Sequence, residues 1–173
     1  NHHNKIPSLS FHELVPFLKD QCILKKTDSA TSILIIEDDK QLNEKLSLWL
    51  ETKHYVCTSA YHYDQAIDLL TSTSFDIIFI DIGLSGKSGE DLVQFIQFYH
   101  PDSISIVITA FNDSELMLKC LNSGADDFIT KPFSPTEIIK KITYYQGIRQ
   151  AKKLPTQTLR NCVDLMLYLQ SST

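Results

Sequence analysis

Short apolar runs alternate with amphipathic stretches between residues 33 and 149. Five of these runs have the length of a β-strand, at 33–36, 55–59, 75–80, 104–108 and 127–129. The third and fourth runs are apolar at nearly every position, which is typical of parallel strands that helices cover on both faces. This alternation predicts βα units around a mostly parallel sheet, with the third and fourth runs in its middle.

The stretches between the runs have apolar residues at helical spacing. After the first run the apolar positions are Leu42, Leu46, Trp49 and Leu50, and after the fifth run they are Ile138, Ile142 and Tyr145. Residues at such intervals share one face of a helix. We therefore expect helices that pack on the sheet.

Capping residues indicate where three of these helices begin. Asp38 or Asp39 is positioned to cap the first helix, and Ser88 to cap the third. The stretch from Ser134 to Glu137 reads SPTE, which is a capping box with proline at the first helical position. The fifth helix is therefore predicted to begin at residue 135.

The alternation divides the chain into three parts. We expect a main domain at 33–149, an N-terminal extension at 1–32 that is partly helical, and a C-terminal helical extension at 150–173. Each extension has one apolar stripe at helical spacing, formed by Phe11, Leu14, Val15 and Leu18 in the first and by Leu159, Val163, Met166 and Leu167 in the second. Neither stripe can be buried within its own segment, so we expect both to pack on the main domain or on a second copy of the chain.

Composition narrows the class of protein. The chain has 173 residues, of which 43% are hydrophobic, so it is long enough for one well-buried core with added helices. A formal net charge of -5 provides no basic surface for gripping nucleic acid. The four cysteines are far apart and form no C-x-x-C pair, which argues against zinc and disulfide frameworks. Since no apolar run has the length of a bilayer and no signal peptide is recognised, we expect a soluble, cytoplasmic protein.

Charged and hydroxyl residues mark the ends of the predicted strands. Glu37 and Asp38 follow the first strand, Asp81 follows the third, Thr109 follows the fourth, and Lys131 lies just beyond the fifth. Because the carboxyl ends of parallel strands meet at one edge of a sheet, where ligands bind, we expect these side chains to lie together. Three acids at one place would repel each other, and an all-oxygen set without histidine or cysteine suits Mg²⁺.

The sequence Gly86-Lys87-Ser88 resembles the end of a phosphate-binding P-loop. The full pattern requires a glycine five residues before Gly86, and Asp81 stands there instead. A carboxylate at that position would repel the phosphate. We therefore interpret this match as accidental.

Four motifs identify a resemblance to the receiver domains of bacterial two-component response regulators, which the chemotaxis receivers typify. They are ILIIEDD, FDIIFIDIGLSGKSG, IVITAF and GADDFITKPF, in that order and at the family's spacings between Ile33 and about Arg149. The resemblance implies a flavodoxin-like α/β fold, in which helices flank a doubly wound, five-stranded parallel sheet of order 2-1-3-4-5. It also implies a cis peptide between Lys131 and Pro132.

The resemblance also implies a role for each polar residue at the strand ends. Asp81 matches the aspartate that accepts a phosphoryl group, Glu37 and Asp38 match the acidic pair of the Mg²⁺ site, and the backbone carbonyl of Gly83 matches a further metal ligand. Two further positions match the switch, Thr109 as the hydroxyl residue that closes onto the phosphoryl group and Phe128 as the aromatic residue that follows it. Lys131 matches the lysine that pairs with the phosphoryl oxygen.

The partners that the resemblance implies are signalling proteins. A sensor histidine kinase or a histidine phosphotransfer protein would donate the phosphoryl group, and the domain would then control a partner or an output domain. A homodimer would form through the face made by the fourth helix, fifth strand and fifth helix, or through the terminal helices. We expect DNA contact only through an output domain that this sequence does not contain, and no contact with a membrane.

Two other functions are compatible with an aspartate after an apolar strand. A Mg²⁺-dependent phosphatase of the haloacid-dehalogenase type needs a second acid two residues after its nucleophile, to protonate the leaving group, and Gly83 occupies that place. A pseudo-receiver would act by dimerisation alone, which the intact set of acids, threonine and lysine argues against. We therefore favour a phosphoacceptor that is not an enzyme.

Overall fold

The structure is a computed structural model that describes residues 30–84, 89–110 and 114–153, with side chains up to 149. The predictions for the two terminal extensions before residue 30 and after residue 153, and for the Ser88 cap, lie outside the described residues. Within those residues the strands are β1 Ser32–Ile36, β2 Val56–Ala60, β3 Ile77–Asp81, β4 Ile104–Ala110 and β5 Asp127–Lys131. The helices are α1 Lys40–Glu51, α2 Tyr63–Ser72, α3 Gly89–Tyr99, α4 Ser114–Asn122 and α5 Pro135–Lys153.

The strands form one parallel sheet in the order β2-β1-β3-β4-β5. This confirms the predicted flavodoxin-like fold, including the central position of the third and fourth apolar runs. The Lys131-Pro132 peptide is cis, as the resemblance implied. A helix long and apolar enough to cross a bilayer is absent from the part of the chain that the structure describes.

Alternate residues of the central strands supply two separate apolar cores. One face of the sheet packs against α2, α3 and α4, and its buried strand residues are Leu34, Ile36, Ala60, Ile78, Ile80 and Val107. The other face packs against α1 and α5, and its buried strand residues are Ile33, Ile35, Ile77, Phe79, Ile104, Ile106, Ile108 and Ile129. Because successive side chains of a strand point to opposite faces, a strand covered on both sides must be apolar throughout.

Strand ends differ from the apolar runs by up to two residues. Phe75 belongs to the third run but precedes β3, and it is apolar because it is buried in the loop before that strand. At the other end, β4 and β5 continue past their apolar runs because their backbones stay paired there, with Thr109 opposite Thr130 and Ala110 opposite Lys131. An apolar run shows which residues are buried, whereas the ends of a strand depend on which residues form backbone hydrogen bonds with a neighbouring strand.

The helix starts follow the predicted caps. Asp39 caps α1, because its Oδ1 accepts from the backbone N–H of Gln41 at 2.9 Å and of Leu42 at 3.1 Å. Ser134 Oγ accepts from the backbone N–H of Glu137 at 3.2 Å, and α5 begins at residue 135. The predicted apolar faces also pack inward, with Leu46 and Leu50 of α1 and Ile138, Ile142 and Tyr145 of α5 buried and Leu42 and Trp49 half-buried.

Candidate functional site

Acidic side chains gather at the carboxyl edge of the sheet. Glu37 directly follows β1, and Asp81 is the last residue of the neighbouring strand β3. Both are buried, with 2% of Glu37 and 6% of Asp81 exposed, whereas Asp38 is exposed to solvent. One carboxylate oxygen from each of these three residues lies within 4.8 Å of the other two. The structure thus brings together the acids that the sequence placed at separate strand ends.

Lys131 connects two of the three carboxylates. Its Nζ donates to Asp81 Oδ2 at 2.8 Å and lies 2.6 Å from Glu37 Oε2. This ammonium reaches the edge from the last residue of β5, which lies two strands away from β3. Two negative charges and one positive charge therefore share a mostly buried volume, and the Asp38 carboxylate adds further negative charge at its rim.

Burial is the largest cause that raises the pKa of Glu37, which reaches about 7. The negative charge of Asp81 acts in the same direction, and the ion pair with Lys131 opposes it. Burial lowers the pKa of Lys131, but its hydrogen bond with Asp81 and its ion pair with Glu37 outweigh that effect, so the pKa lies above its ordinary value. The lysine is therefore firmly charged, while the carboxylate of Glu37 is ionised only at a cost.

The two carboxylate oxygens of Glu37 differ in the hydrogen bonds that they accept. Its Oε1 accepts from the backbone N–H of Asp39 at 3.3 Å. Its Oε2 contacts Lys131 as an ion pair, but within the described residues it receives no well-directed hydrogen bond. A buried oxygen in that condition favours a cation as its neighbour, because a cation needs no particular hydrogen-bond angle.

Both oxygens of Asp81 are held in place. Oδ2 accepts from Lys131, and Oδ1 accepts from the backbone N–H of Gly83 at 2.9 Å. A Cβ at position 83 would lie 3.3 Å from Oδ1, so glycine lets the backbone approach closely. The carbonyl of Gly83 as a metal ligand stays a prediction.

Thr109 and Phe128 face the same side of the sheet. Thr109 is buried, and its Oγ1 donates to the carbonyl of Ala110 at 3.1 Å. Phe128 on β5 is opposite Val107 on β4, and Val107 lies two residues before Thr109. The half-buried ring of Phe128 packs on the core formed with α2, α3 and α4. Since side chains two residues apart share a face, Thr109 lies on the same side of the sheet as Val107 and Phe128.

Asn43 contributes to the site but was missed in the sequence. It is fully buried in the first turns of α1, and its Nδ2 donates to the carbonyls of Ile35, Glu37 and Ala60. A signal was present, because position 43 precedes Leu46 by three residues and therefore falls on the predicted apolar face. A polar residue on that face needs an internal hydrogen-bond partner.

Comparisons with known proteins show which family this chain belongs to. A family model of the response regulator receiver domain matches residues 33–143. The phosphate regulon transcriptional regulatory protein PhoB of Escherichia coli is 35% identical over 118 residues, covering 65% of this chain and 50% of PhoB. A cyclic di-GMP phosphodiesterase of Thermotoga maritima is 34% identical over 113 residues, covering 65% of this chain and 30% of that protein. This chain thus spans half or less of the length of these two relatives.

A solved structure extends the likeness to the fold. The CheY-like response regulator receiver domain protein of Methanospirillum hungatei superposes with a TM-score of 0.68 at 26% sequence identity. The match covers 73% of this chain and 100% of that one. The family model covers more than half of the chain and includes β2 to β5, all of β1 except Ser32, and the residues Glu37, Asp38, Asp81 and Lys131. The chain therefore belongs to the response regulator receiver domain family of two-component signalling.

Proposed function

We propose that this domain accepts a phosphoryl group on Asp81 from a histidine kinase or a histidine phosphotransfer protein. Phosphorylation then switches its conformation to control a partner or an output domain. The observation that supports this most directly is the position of Asp81, whose carboxylate lies 2.8 Å from the Lys131 ammonium and within reach of two further acids. We place the exchange in the cytoplasm as part of the same proposal.

The transfer needs a nucleophile that is oriented and a charge balance that tolerates an incoming anion. A carboxylate oxygen of Asp81 forms the new O–P bond while the N–P bond to the donor imidazole breaks, and the leaving imidazole takes a proton from solvent. Gly83 orients the carboxylate through its backbone N–H. Lys131 offsets the charge of the phosphoryl oxygens, which accounts for a cation held beside the nucleophile.

The donor set fits Mg²⁺, because it consists of carboxylate oxygens and includes the buried Glu37 Oε2 that lacks a directed hydrogen bond. Glu37, Asp38, Asp81 and the carbonyl of Gly83 would hold the ion. When bound, Mg²⁺ would neutralise charge on the acids and on the phosphoryl group. The protein itself supplies the rigid positions of these oxygens.

The phosphorylated side chain adds negative charge and strong acceptors at the edge of the sheet. The hydroxyl of Thr109 then exchanges its hydrogen bond with the carbonyl of Ala110 for one with a phosphoryl oxygen. That movement leaves room for Phe128 to turn further inward on the same face. The consequence is a changed surface on α4, β5 and α5, where Leu118 and Tyr144 are exposed apolar side chains that a partner or second copy can contact.

Acetyl phosphate tests this proposal without a cognate kinase. The protein is incubated with acetyl phosphate and Mg²⁺ and weighed by intact mass spectrometry, and we expect one added phosphate that Asp81→Asn abolishes. Asp127→Asn is the matched control, because Asp127 also pairs with a lysine, Lys141 at 2.6 Å, but lies outside the acidic cluster. That variant should still take up one phosphate.

Two results would contradict the proposal. An unmodified wild-type protein at saturating Mg²⁺ would exclude Asp81 as a phosphoacceptor for this donor. Sustained release of inorganic phosphate would favour the phosphatase alternative, although Gly83 stands where that chemistry requires an acid. Size-exclusion chromatography with beryllofluoride then measures whether the activated form is a dimer, which is the form we expect.

A further inference from the structure

Asn43 is a buried polar residue inside the first turns of α1. It has no exposed surface, and it lies among the residues that pack α1 against the sheet. An amide in such a place lowers stability unless its polar atoms are bonded. Its Oδ1 has no hydrogen-bond donor from the described part of the chain. Packing alone therefore gives no reason for an asparagine at this position.

The amide nitrogen of Asn43, by contrast, donates to three backbone carbonyls. Nδ2 lies 3.1 Å from the carbonyl oxygen of Glu37, 3.1 Å from that of Ala60 and 3.3 Å from that of Ile35. These carbonyls belong to three different segments, namely β1, the loop that follows β1 and the last residue of β2. The Asn43 side chain, which belongs to α1, thus bonds to β1, to β2 and to the loop of Glu37 and Asp38, which we call the acidic loop.

The backbone of Glu37 is held from both sides by this arrangement. Its N–H donates to the carbonyl of Ala60 at 3.1 Å, and its own carbonyl accepts from Asn43. The two strands do not need the amide in order to stay together, because β1 and β2 are already paired over five residues. What the amide adds is a fixed position for the peptide that joins Glu37 to Asp38.

A fixed position matters because the acids repel one another. Glu37, Asp38 and Asp81 have carboxylate oxygens within 4.8 Å, and the loop would relax outward if its backbone were free. We propose that Asn43 is a positioning residue for the divalent-cation site, which holds the Glu37-Asp38 peptide so that both carboxylates stay on the ion. This inference rests on the proposed function, since it assumes that the acidic cluster binds a cation.

The test measures cation binding rather than phosphorylation. Mn²⁺ serves as the probe, because the electron paramagnetic resonance signal of the free ion reports its concentration directly. We expect Asn43→Ala to raise the Kd for Mn²⁺ by about tenfold or more, as is usual when a group that orients metal ligands is removed. Asn43→Ser provides a shorter hydrogen-bond donor, so its Kd for Mn²⁺ should lie between those of wild type and Asn43→Ala. Should Asn43→Ala fail to fold, Asn43→Ser must still bind Mn²⁺ more weakly than wild type.

Ser103→Ala is the matched control. Ser103 is also buried, and its Oγ donates to the carbonyl of Phe75 at 2.6 Å, but it lies before β4 at the opposite edge of the sheet. Both alanine variants should lower the free energy of unfolding, because each removes a buried bond to a backbone carbonyl. Only Asn43→Ala should change the Kd for Mn²⁺.

The outcomes separate this inference from the function on which it rests. If wild type binds Mn²⁺ and Asn43→Ala binds it equally well, the positioning role is wrong while the cation site stands. An equal loss of affinity in Ser103→Ala would show that general stability is responsible, which also overturns the role of Asn43. A wild-type protein that does not bind Mn²⁺ overturns the cation site together with this inference.

Discussion

The Nζ of Lys131 lies 2.8 Å from Oδ2 of Asp81, although fifty residues separate them in the chain. The aspartate ends β3 and the lysine ends β5, and because these strands are parallel, both residues lie at the carboxyl edge of the sheet. The same ammonium is 2.6 Å from Glu37, which makes it the group that balances two buried carboxylates.

Removing this ammonium should slow phosphorylation of Asp81. We expect Lys131→Met to reduce the rate of labelling by acetyl phosphate roughly a hundredfold, because one preorganised charge beside the transferred group is lost. The measurement is the initial rate of phosphate uptake by intact mass. Lys141→Met is the control, because Lys141 is equally exposed at 28% and also pairs with an aspartate, Asp127. A rate in Lys131→Met that equals the Lys141→Met rate would contradict the role given to Lys131.

The raised pKa of Glu37 predicts a pH dependence of stability in the absence of divalent cations. Its pKa is about 7 in the folded protein against an ordinary value of 4.5, so between these values the folded state binds a proton that the unfolded state has released. The free energy of unfolding should therefore fall as pH rises from about 5 to about 7, by at most about 1.4 kcal/mol per pH unit.

Two comparisons isolate this contribution from other titrating groups. Glu37→Gln should show a smaller decline over the same pH range in urea unfolding. Saturating Mg²⁺ should also reduce the decline in wild type, because a cation beside the carboxylate favours its charged form. Parallel curves for wild type and Glu37→Gln without Mg²⁺ would show that this residue does not titrate as expected.

Replacing each of two helical glycines by alanine should change the free energy of unfolding in opposite directions. A Cβ at Gly89, the first residue of α3, would lie 2.8 Å from the backbone Cα of Ile82, which can move only with the loop after β3. We expect Gly89→Ala to lower the free energy of unfolding by about 1–3 kcal/mol. In the described part of the chain, a Cβ at Gly147 in α5 would have no atom within 4 Å apart from its neighbours and its own helix backbone, so Gly147→Ala should raise the free energy of unfolding by about 1 kcal/mol. Urea unfolding measures both changes.

The hydroxyl of Thr109 should be required for the switch but not for phosphorylation. Thr109→Val keeps the shape of the side chain and removes the Oγ1 that now bonds to Ala110, at a cost of about 1 kcal/mol in stability. We expect normal uptake of one phosphate, with loss of the change in amide hydrogen exchange that beryllofluoride causes in β5 and α4. Thr130→Val, opposite Thr109 in the ladder, is the control that should retain the change. Retention of the full change in Thr109→Val would exclude Thr109 from the switch.

Much of the fold could be predicted from local patterns. Strands covered on both faces must be apolar throughout, and this made the third and fourth runs recognisable as central strands. Caps such as Ser134 act within a few residues, so they too could be identified from sequence. The order of the strands came from the resemblance of motifs rather than from periodicity, because periodicity reports which face is buried and not which neighbour buries it.

The sequence by itself determined that Glu37, Asp81 and Lys131 each end or follow a strand, and therefore that they share an edge of the sheet. Only the tertiary structure decided that one ammonium contacts both buried carboxylates and that Asn43 bonds to the backbone of the acidic loop. The physical reason is that these contacts depend on the register and spacing of strands far apart in the chain. Local preferences along the chain carry no information about such distances.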